Sequence, residues 1–409
     1  MHQAENSGAP AEANPDTLLA AHVEAMFVEF LERRPSEQDL DHWMGVGSLR
    51  ALIDGVLASE EYAARVARRA TREGQSAEGP FLNCWVAGLE RFARPVGSIS
   101  PDGVAIVGER GHLFIHGGSN NNLAMHRGEA PLASGWSAQW RELVEERIAQ
   151  ARAADRALCC LVVPDKLAVY GDLFPLDLDS PERPRPMIRL VEEASVPLLY
   201  PCGLLRDARA HGDTYMVTDS HLTGLGNRLL ARTTIAALGV RAELLEEVSD
   251  ARVEHLLSGD LGRHFQPNVL EIGKHLSTPS RARIVCDNWP DVLAKGGHIG
   301  TRRIFRRDDA ADARTVVVFG DSYGFGDDAN TGLSWFLAQA FREVHFVWVP
   351  FGWDPDYLDR VGAELVVCQT AERFIGRVPR RRVDVDSLIR DVSGGALGLE
   401  RAFGDVKVG

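Results

Sequence analysis

The chain has 409 residues, enough for two or three domains at about 100 to 200 residues each. Hydrophobic residues make up 45% and charged residues 25%, the mix of a globular protein that can bury a core without disulfides or metals. With 45 basic against 58 acidic residues the net charge is −13, which argues against nucleic acid as the main partner.

Residues 1–16 are polar and lack both a basic n-region and an apolar h-region, so they predict a disordered start and not a signal peptide. No run is apolar and long enough to span a bilayer. On those grounds the expected location is the cytoplasm. Asp16 then offers an N-cap to the helical stripe Leu18, Leu19, Val23, Met26, Phe27, Phe30 and Leu31. Ser36, Ser48 and Ser59 open three further helices, giving an all-helical module over 17–70. Residues 71–80, rich in Gly, Ser and Glu, read as a linker, and 81–92 as a helix closed by Pro95.

From about residue 100 short β-branched runs alternate with amphipathic helices. Strands are expected at 104–107, 158–163, 196–200, 215–218, 315–319, 345–349 and 365–368, and helices at 136–154, 228–238 and 333–342. That alternation predicts an α/β domain over 81–409, a mostly parallel sheet covered on both faces. The six cysteines form no CxxC pair and no zinc-ligand spacing, so buried thiols of a reducing compartment, no metal and no cofactor are expected. The basic clusters Arg302, Arg303, Arg306, Arg307 and Arg380–Arg382 read as solvated, salt-bridged surface.

Two segments carry chemistry. The run 315–319 leads straight into Gly320-Asp321-Ser322-Tyr323-Gly324, at the carboxyl end of a strand where open α/β sheets bind ligands. A serine there exposes its hydroxyl, and its backbone N–H is free to bind an oxyanion. An ordinary strand-end turn has the same composition, so Gly-Asp-Ser alone is a weak signal. The second segment is Asp219-Ser220-His221-Leu222-Thr223. A carboxylate beside an imidazole fixes its tautomer and stabilises the imidazolium formed in catalysis. Thr223 can cap the helix that follows. Together they nominate Ser322 as nucleophile, His221 as general base and Asp219 as its orienter.

In this order, Asp-x-His before Gly-Asp-Ser, the segments resemble the alginate O-acetyltransferase family, whose members carry a permuted SGNH-hydrolase domain. Three more stretches are similar in sequence and order. They are Gly108-Glu109-Arg110-Gly111-His112-Leu113-Phe114, with His112 at the usual Trp; Pro164-Asp165-Lys166 with Tyr170; and Ala371-Glu372-Arg373-Phe374. Leu222 also stands where the family has Trp. The run Phe30–Pro35, with Leu40, Trp43 and Leu57–Tyr62, resembles a small helical module of unassigned chemistry that is appended to bacterial secreted and glycan-related proteins.

The resemblance implies a three-layer SGNH-like domain and O-acyl, specifically O-acetyl, transfer from an acyl donor to a carbohydrate acceptor. A glycan acetyl esterase with the same triad is the first alternative, and a non-catalytic glycan-binding or assembly protein the second. Tyr323, Asn120 and Arg373 are the substrate-binding candidates. Glu372-Arg373 is expected to be a structural ion pair, with a substrate or oxyanion contact as the second reading, and the helical module to dock a protein partner or to serve as a structural cap. Family members work in the periplasm or at the membrane, which conflicts with the location read from the N-terminus.

Overall fold

The computed structural model describes residues 20–31, 33–65, 84–87, 94–118, 121–178, 184–245, 248, 252–266, 268–276, 279–326 and 332–403. The start, the linker and Asn120 lie outside them. By contacts the chain divides into two units. One holds residues 1–84, 250–257 and 272–278, and the other 85–249, 258–271 and 279–409.

In the first unit, helices Ala20–Met26, Glu37–Met44 and Leu49–Ala58 form where the apolar spacing predicts. Ser36 and Asp39 make a reciprocal capping box, and Ser48 caps the third helix through Ala51 N–H. Val23, Met26, Phe30, Leu52, Ile53 and Val56 are buried. Arg33 joins Asp39 and Glu61 in ion pairs of 2.8 and 2.6 Å. The helix expected over 81–92 is absent where it is described: Cys84–Val86 is a short strand, β1.

The second unit is built on a six-stranded sheet. Numbering the strands of the whole chain in order after β1 gives β2 (Ala105–Val107), β3 (Leu113–Ile115), β4 (Ala157–Val163), β5 (Arg252–Leu257) and β6 (Asn268–Leu276). They continue with β7 (Arg283–Asp287), β8 (Arg302–Arg306), β9 (Asp312–Gly320), β10 (Phe341–Trp348) and β11 (Leu365–Ala371). The order across the sheet is β4-β11-β9-β10-β8-β7. The first four of these are parallel, and β8 and then β7 add on antiparallel. This is the α/β class with the mostly parallel sheet that the alternation predicts.

The parallel strands are continuous apolar runs because both faces are covered. Val316–Phe319 and Leu365–Cys368 are almost fully buried. Helix Trp136–Ala153 packs on β4 and helix Gly224–Ala237 on helix Leu333–Ala340. Trp136 and Trp140 both donate Nε1–H to Ile375 O, at 2.7 and 2.9 Å. The buried Arg147 donates to the Phe351 and Arg380 carbonyls at 2.7 and 2.9 Å.

Two expected strands do not form ladders. Residues 196–200 contribute one bridge, Leu161 to Leu199, because Pro197 within the segment and Pro201 just after it lack N–H donors. Residues 215–218 turn back on themselves, with a single bridge from Tyr215 to Leu222. The first basic cluster also departs from a solvated surface. Arg303 in β8 and Arg307 just after it are buried, whereas Arg380–Arg382 are exposed, with Arg381 and Arg382 in ion pairs as expected. No described helix is long and apolar enough to cross a membrane.

Candidate active site

Strands β4, β9 and β11 run parallel, so the residues that follow them meet at one edge of the sheet. After β4 comes Asp165-Lys166, after β9 Asp321-Ser322-Tyr323, and after β11 Glu372-Arg373. Strand β9 lies between β11 and β10, the point at which the chain winds off in both directions and an edge crevice is expected.

The turn after β9 is fixed by Asp321. Its carboxylate accepts Ala371 N–H at 2.6 Å, Tyr323 N–H at 3.1 Å and Gln369 Nε2–H at 2.8 Å, and burial pushes its pKa up. Gly320 serves close packing here: a Cβ would sit 2.5 Å from Gln369 Oε1, the atom that accepts Asp321 N–H. Ser322 is left partly exposed, with no hydrogen-bonded partner among the described residues.

His221, the candidate base, lies on a tight loop, not at the end of a strand. Met216 N–H donates to His221 O at 3.0 Å and Thr223 N–H to Thr214 O at 3.0 Å, which places Asp219 and Ser220 at the tip. Asp219 Oδ1 accepts both His221 N–H at 2.8 Å and Nδ1–H at 2.6 Å. Burial alone would raise the Asp219 pKa, but His221 and the backbone donors hold it below the usual carboxylate range. Burial would likewise lower the His221 pKa, and Asp219, with Asp260 behind it, holds it above the ordinary histidine value. Thr223 caps the next helix through Gly226 N–H, as expected.

His221 Nε2 is enclosed and has no hydrogen-bond partner among the described residues. Its ring lies 5.1 Å from that of Tyr323, whose hydroxyl donates to Ser220 O at 2.7 Å. Ser322 therefore sits one residue from a side chain packed on the imidazole. No Ser322–His221 hydrogen bond is present. In unliganded enzymes such contacts are often long and tighten with substrate.

The similar stretches that looked scattered in the sequence all brace this loop. Lys166 Nζ donates to the carbonyls of Met216, Val217 and Asp219 at 2.6, 2.8 and 3.1 Å, and burial brings its pKa down to about 8. Its ammonium lies 5.4 Å over the Phe114 ring, while Leu113 N–H donates to Val217 O at 2.8 Å. The Tyr170 hydroxyl accepts Thr214 N–H at 2.8 Å and its ring packs on His112. Burial holds His112 down to about 2, so it acts as a neutral packing group.

Glu372 and Arg373 do not pair with each other. Glu372 accepts from the Tyr200 hydroxyl at 2.8 Å and faces Arg185 at 3.4 Å. Arg373 donates to Asp165 at 3.0 Å and to the Tyr323 hydroxyl at 3.3 Å. Tyr323 and Arg373 are thus internal braces of the His221 loop.

Sequence reasoning missed Asp260, on the loop between β5 and β6. Its carboxylate accepts Ser220 N–H at 2.7 Å and Oγ–H at 2.6 Å, its own N–H donates to Asp219 Oδ2 at 2.8 Å, and Oδ2 lies 3.7 Å from His221 Nδ1. Gly259 permits this approach, since a Cβ would lie 2.4 Å from Thr218 O. Glu271 completes the clamp by accepting Val217 and Thr218 N–H at 2.9 and 2.7 Å. The one signal in the sequence was a glycine before an acidic residue after a strand.

Among the described residues, two groups bring potential metal ligands together, Asp219 with His221 and Asp260, and His126 with Asp165 and Glu372, each with ligand atoms within 4.8 Å. In the first, the carboxylates are already filled by N–H and O–H donors. In the second, His126 Nε2 and Asp165 Oδ2 stand 3.8 Å apart without a hydrogen bond, but Arg373 and Arg185 supply the positive charge. A cation suits neither arrangement as it stands.

No family model matches the chain. No curated protein matches it. Solved structures similar to it include the O-acetyltransferase domain of Pseudomonas putida AlgJ, at 16% identity over 71% of this chain and 98% of that one, with a TM-score of 0.36. PatB1 of Bacillus cereus is 12% identical over 63% of this chain and 94% of its own, with a TM-score of 0.41. AlgX of Pseudomonas aeruginosa is 14% identical over 71% of this chain and 67% of its own, with a TM-score of 0.40.

Proposed function

We propose that the chain is a serine acyltransferase that moves an acyl group, specifically acetyl, onto a hydroxyl of a glycan. The observation that carries this is the imidazole of His221, fixed by Asp219 on Nδ1 and enclosed but unpartnered at Nε2, beside the turn that presents Ser322. Ser322 Oγ attacks the donor carbonyl as its proton passes to His221 Nε2. The free Ser322 N–H faces the oxyanion that develops. Collapse expels the donor's leaving group with the proton from His221 and leaves an acyl-serine. A glycan hydroxyl then gives its proton to His221 and attacks the ester, which transfers the acyl group and restores Ser322. The motif order shared with the alginate O-acetyltransferases supports a sugar hydroxyl as acceptor. Positioning favours it over water, because a well-oriented hydroxyl reacts at an effective concentration far above the molar range.

The test is incubation with a chromogenic acetyl ester and candidate oligosaccharides, followed by mass spectrometry of the sugars. Acetylated sugar that depends on Ser322 supports transfer. If acetate appears at the same rate with or without every acceptor, the chain is an esterase.

The reaction should also show a displaced acid limb. His221 accepts a proton only when neutral, and its pKa is held above the ordinary value of about 6.5. Activity on the ester should therefore rise with pH through a midpoint above that value. Replacing Asp260 by Asn removes a negative charge 3.7 Å from Nδ1 and should move the midpoint to lower pH. A midpoint unmoved in the variant would show that Asp260 does not act on the imidazole.

A further inference from the structure

On the other side of Ser322 lies a set of aromatic rings that the reaction steps do not use. Strand β10 runs parallel to β9 with Trp348 opposite Gly320, two residues before Ser322. Strand β7 is antiparallel to β8, which is itself antiparallel to β10, so the β7–β8 connection emerges at the same edge of the sheet. That connection carries Trp289 and His298. The rings of Trp289 and Trp348 are parallel within 3°, with centroids 5.6 Å apart. His298 stacks on Trp348 at 4.8 Å and 17°, and lies 5.5 Å from Trp289 at 18°. Phe325, three residues after Ser322, packs against Trp289 at 5.1 Å and Trp348 at 5.5 Å. Trp348 and Phe325 are buried, Trp289 is partly exposed and His298 is exposed.

The set is held rigidly. Buried Arg303 donates to Gly326 O at 2.6 Å and to Asp287 at 2.8 Å, with its guanidinium 4.2 Å over Phe325. Asp287 in turn accepts Trp289 N–H at 2.9 Å. One side chain therefore ties the loop after Ser322 to the start of the segment that bears the partly exposed indole of Trp289. Asn288 closes the connection, donating to Gly300 O at 3.0 Å and accepting Arg302 N–H at 2.6 Å. Desolvation lowers the His298 pKa, so its ring is uncharged at neutral pH. A flat, uncharged, pre-ordered aromatic surface suits a ligand that has an apolar face and a hydroxylated rim.

We infer that Trp289 and His298, backed by Trp348, form a stacking subsite for one sugar ring of the acceptor glycan, next to the residue acylated at Ser322. The C–H face of a pyranose lies on the indole while its hydroxyls remain in water. This rests on the acyl-transfer reading for its occupant. The negative net charge of the chain opposes a nucleobase carried on a phosphodiester backbone.

Binding can be tested apart from turnover in the full chain carrying Ser322→Ala, with cellohexaose, chitohexaose and a mannuronate hexamer as probes. Affinity is read by calorimetry and by the change in tryptophan emission. At least one hexamer should bind. Adding Trp289→Ala should weaken that binding tenfold or more, and Trp289→Phe, which keeps a ring, should restore most of it. Circular dichroism confirms that each variant is folded. If no hexamer binds, or if Trp289→Ala binds within twofold of its parent, the subsite is wrong. The reading of Ser322 as nucleophile stands or falls separately, on ester turnover by the otherwise unchanged chain.

Discussion

Replacing Ser322 by alanine should abolish turnover of both a small acetyl ester and a glycan acceptor. The loss should be about 10⁴- to 10⁶-fold in kcat, the range seen when a triad nucleophile is removed. In the proposed mechanism every covalent step passes through this one oxygen, and no neighbour offers a substitute: Tyr323 is buried, with its hydroxyl committed to Ser220 O. The fold should be unaffected. Ser322 is partly exposed, takes no hydrogen bond among the described residues, and the turn is held by Asp321 and Gln369. A change in stability below about 1 kcal/mol is expected for such a position. The measurement is initial rate against melting temperature for the same preparation. An alanine variant that keeps both its stability and a wild-type rate removes Ser322 from the chemistry.

Asp219→Asn should cost about 10⁴-fold in kcat, nearly as much as removing the base. Both Asp219 oxygens receive donors: Oδ1 takes the backbone N–H and Nδ1–H of His221, and Oδ2 takes Asp260 N–H. An asparagine of the same size offers one acceptor oxygen and turns an NH₂ toward a donor. Either the Asp260 contact breaks or Nδ1 loses its proton and the imidazole adopts the wrong tautomer. The charge that stabilises the imidazolium is lost in both cases. Comparing kcat/KM of Asp219→Asn, His221→Ala and the double variant on one ester decides the matter, because residues acting as a unit are far from additive. An Asn variant within tenfold of wild type would hand the orienting role to Asp260, 3.7 Å from Nδ1.

The strands that the sequence revealed are those buried on both faces. Val316–Phe319, Leu161–Val163 and Leu365–Cys368 are unbroken apolar runs, and their buried setting is the reason they are apolar. Strands β7 and β8 were hidden for the opposite reason. In β8 and the residue after it, Arg303, Phe305 and Arg307 are buried while Arg306 is exposed. The alternation was present, but guanidiniums occupied positions where apolar side chains are expected. They are tolerated there because they end on main-chain carbonyls, Arg303 on Gly326 and Arg307 on Gln339.

The candidate site divides in the same way. Asp219 and His221 are two residues apart, and their pairing could be read locally. Asp260 and Glu271 reach the His221 loop only through sheet order and loop packing, which a single sequence does not display. His112 and Leu222, which stand where the resembling family has Trp, are both buried beside the loop that carries the base.

The hydrogen bond from the Tyr323 hydroxyl to Ser220 O joins residues 103 positions apart. Closing a loop of that length is a slow entropic step that local helices and turns do not share. Its consequence is kinetic. During refolding the His221 loop and the Ser322 turn can each form early with their near neighbours, yet they become a working pair only when the sheet edge closes over the long interval between them. If the proposed ester cleavage is assayed during refolding, its recovery should run behind the return of helical signal, and a variant that slows only that recovery has been altered in how its distant segments meet.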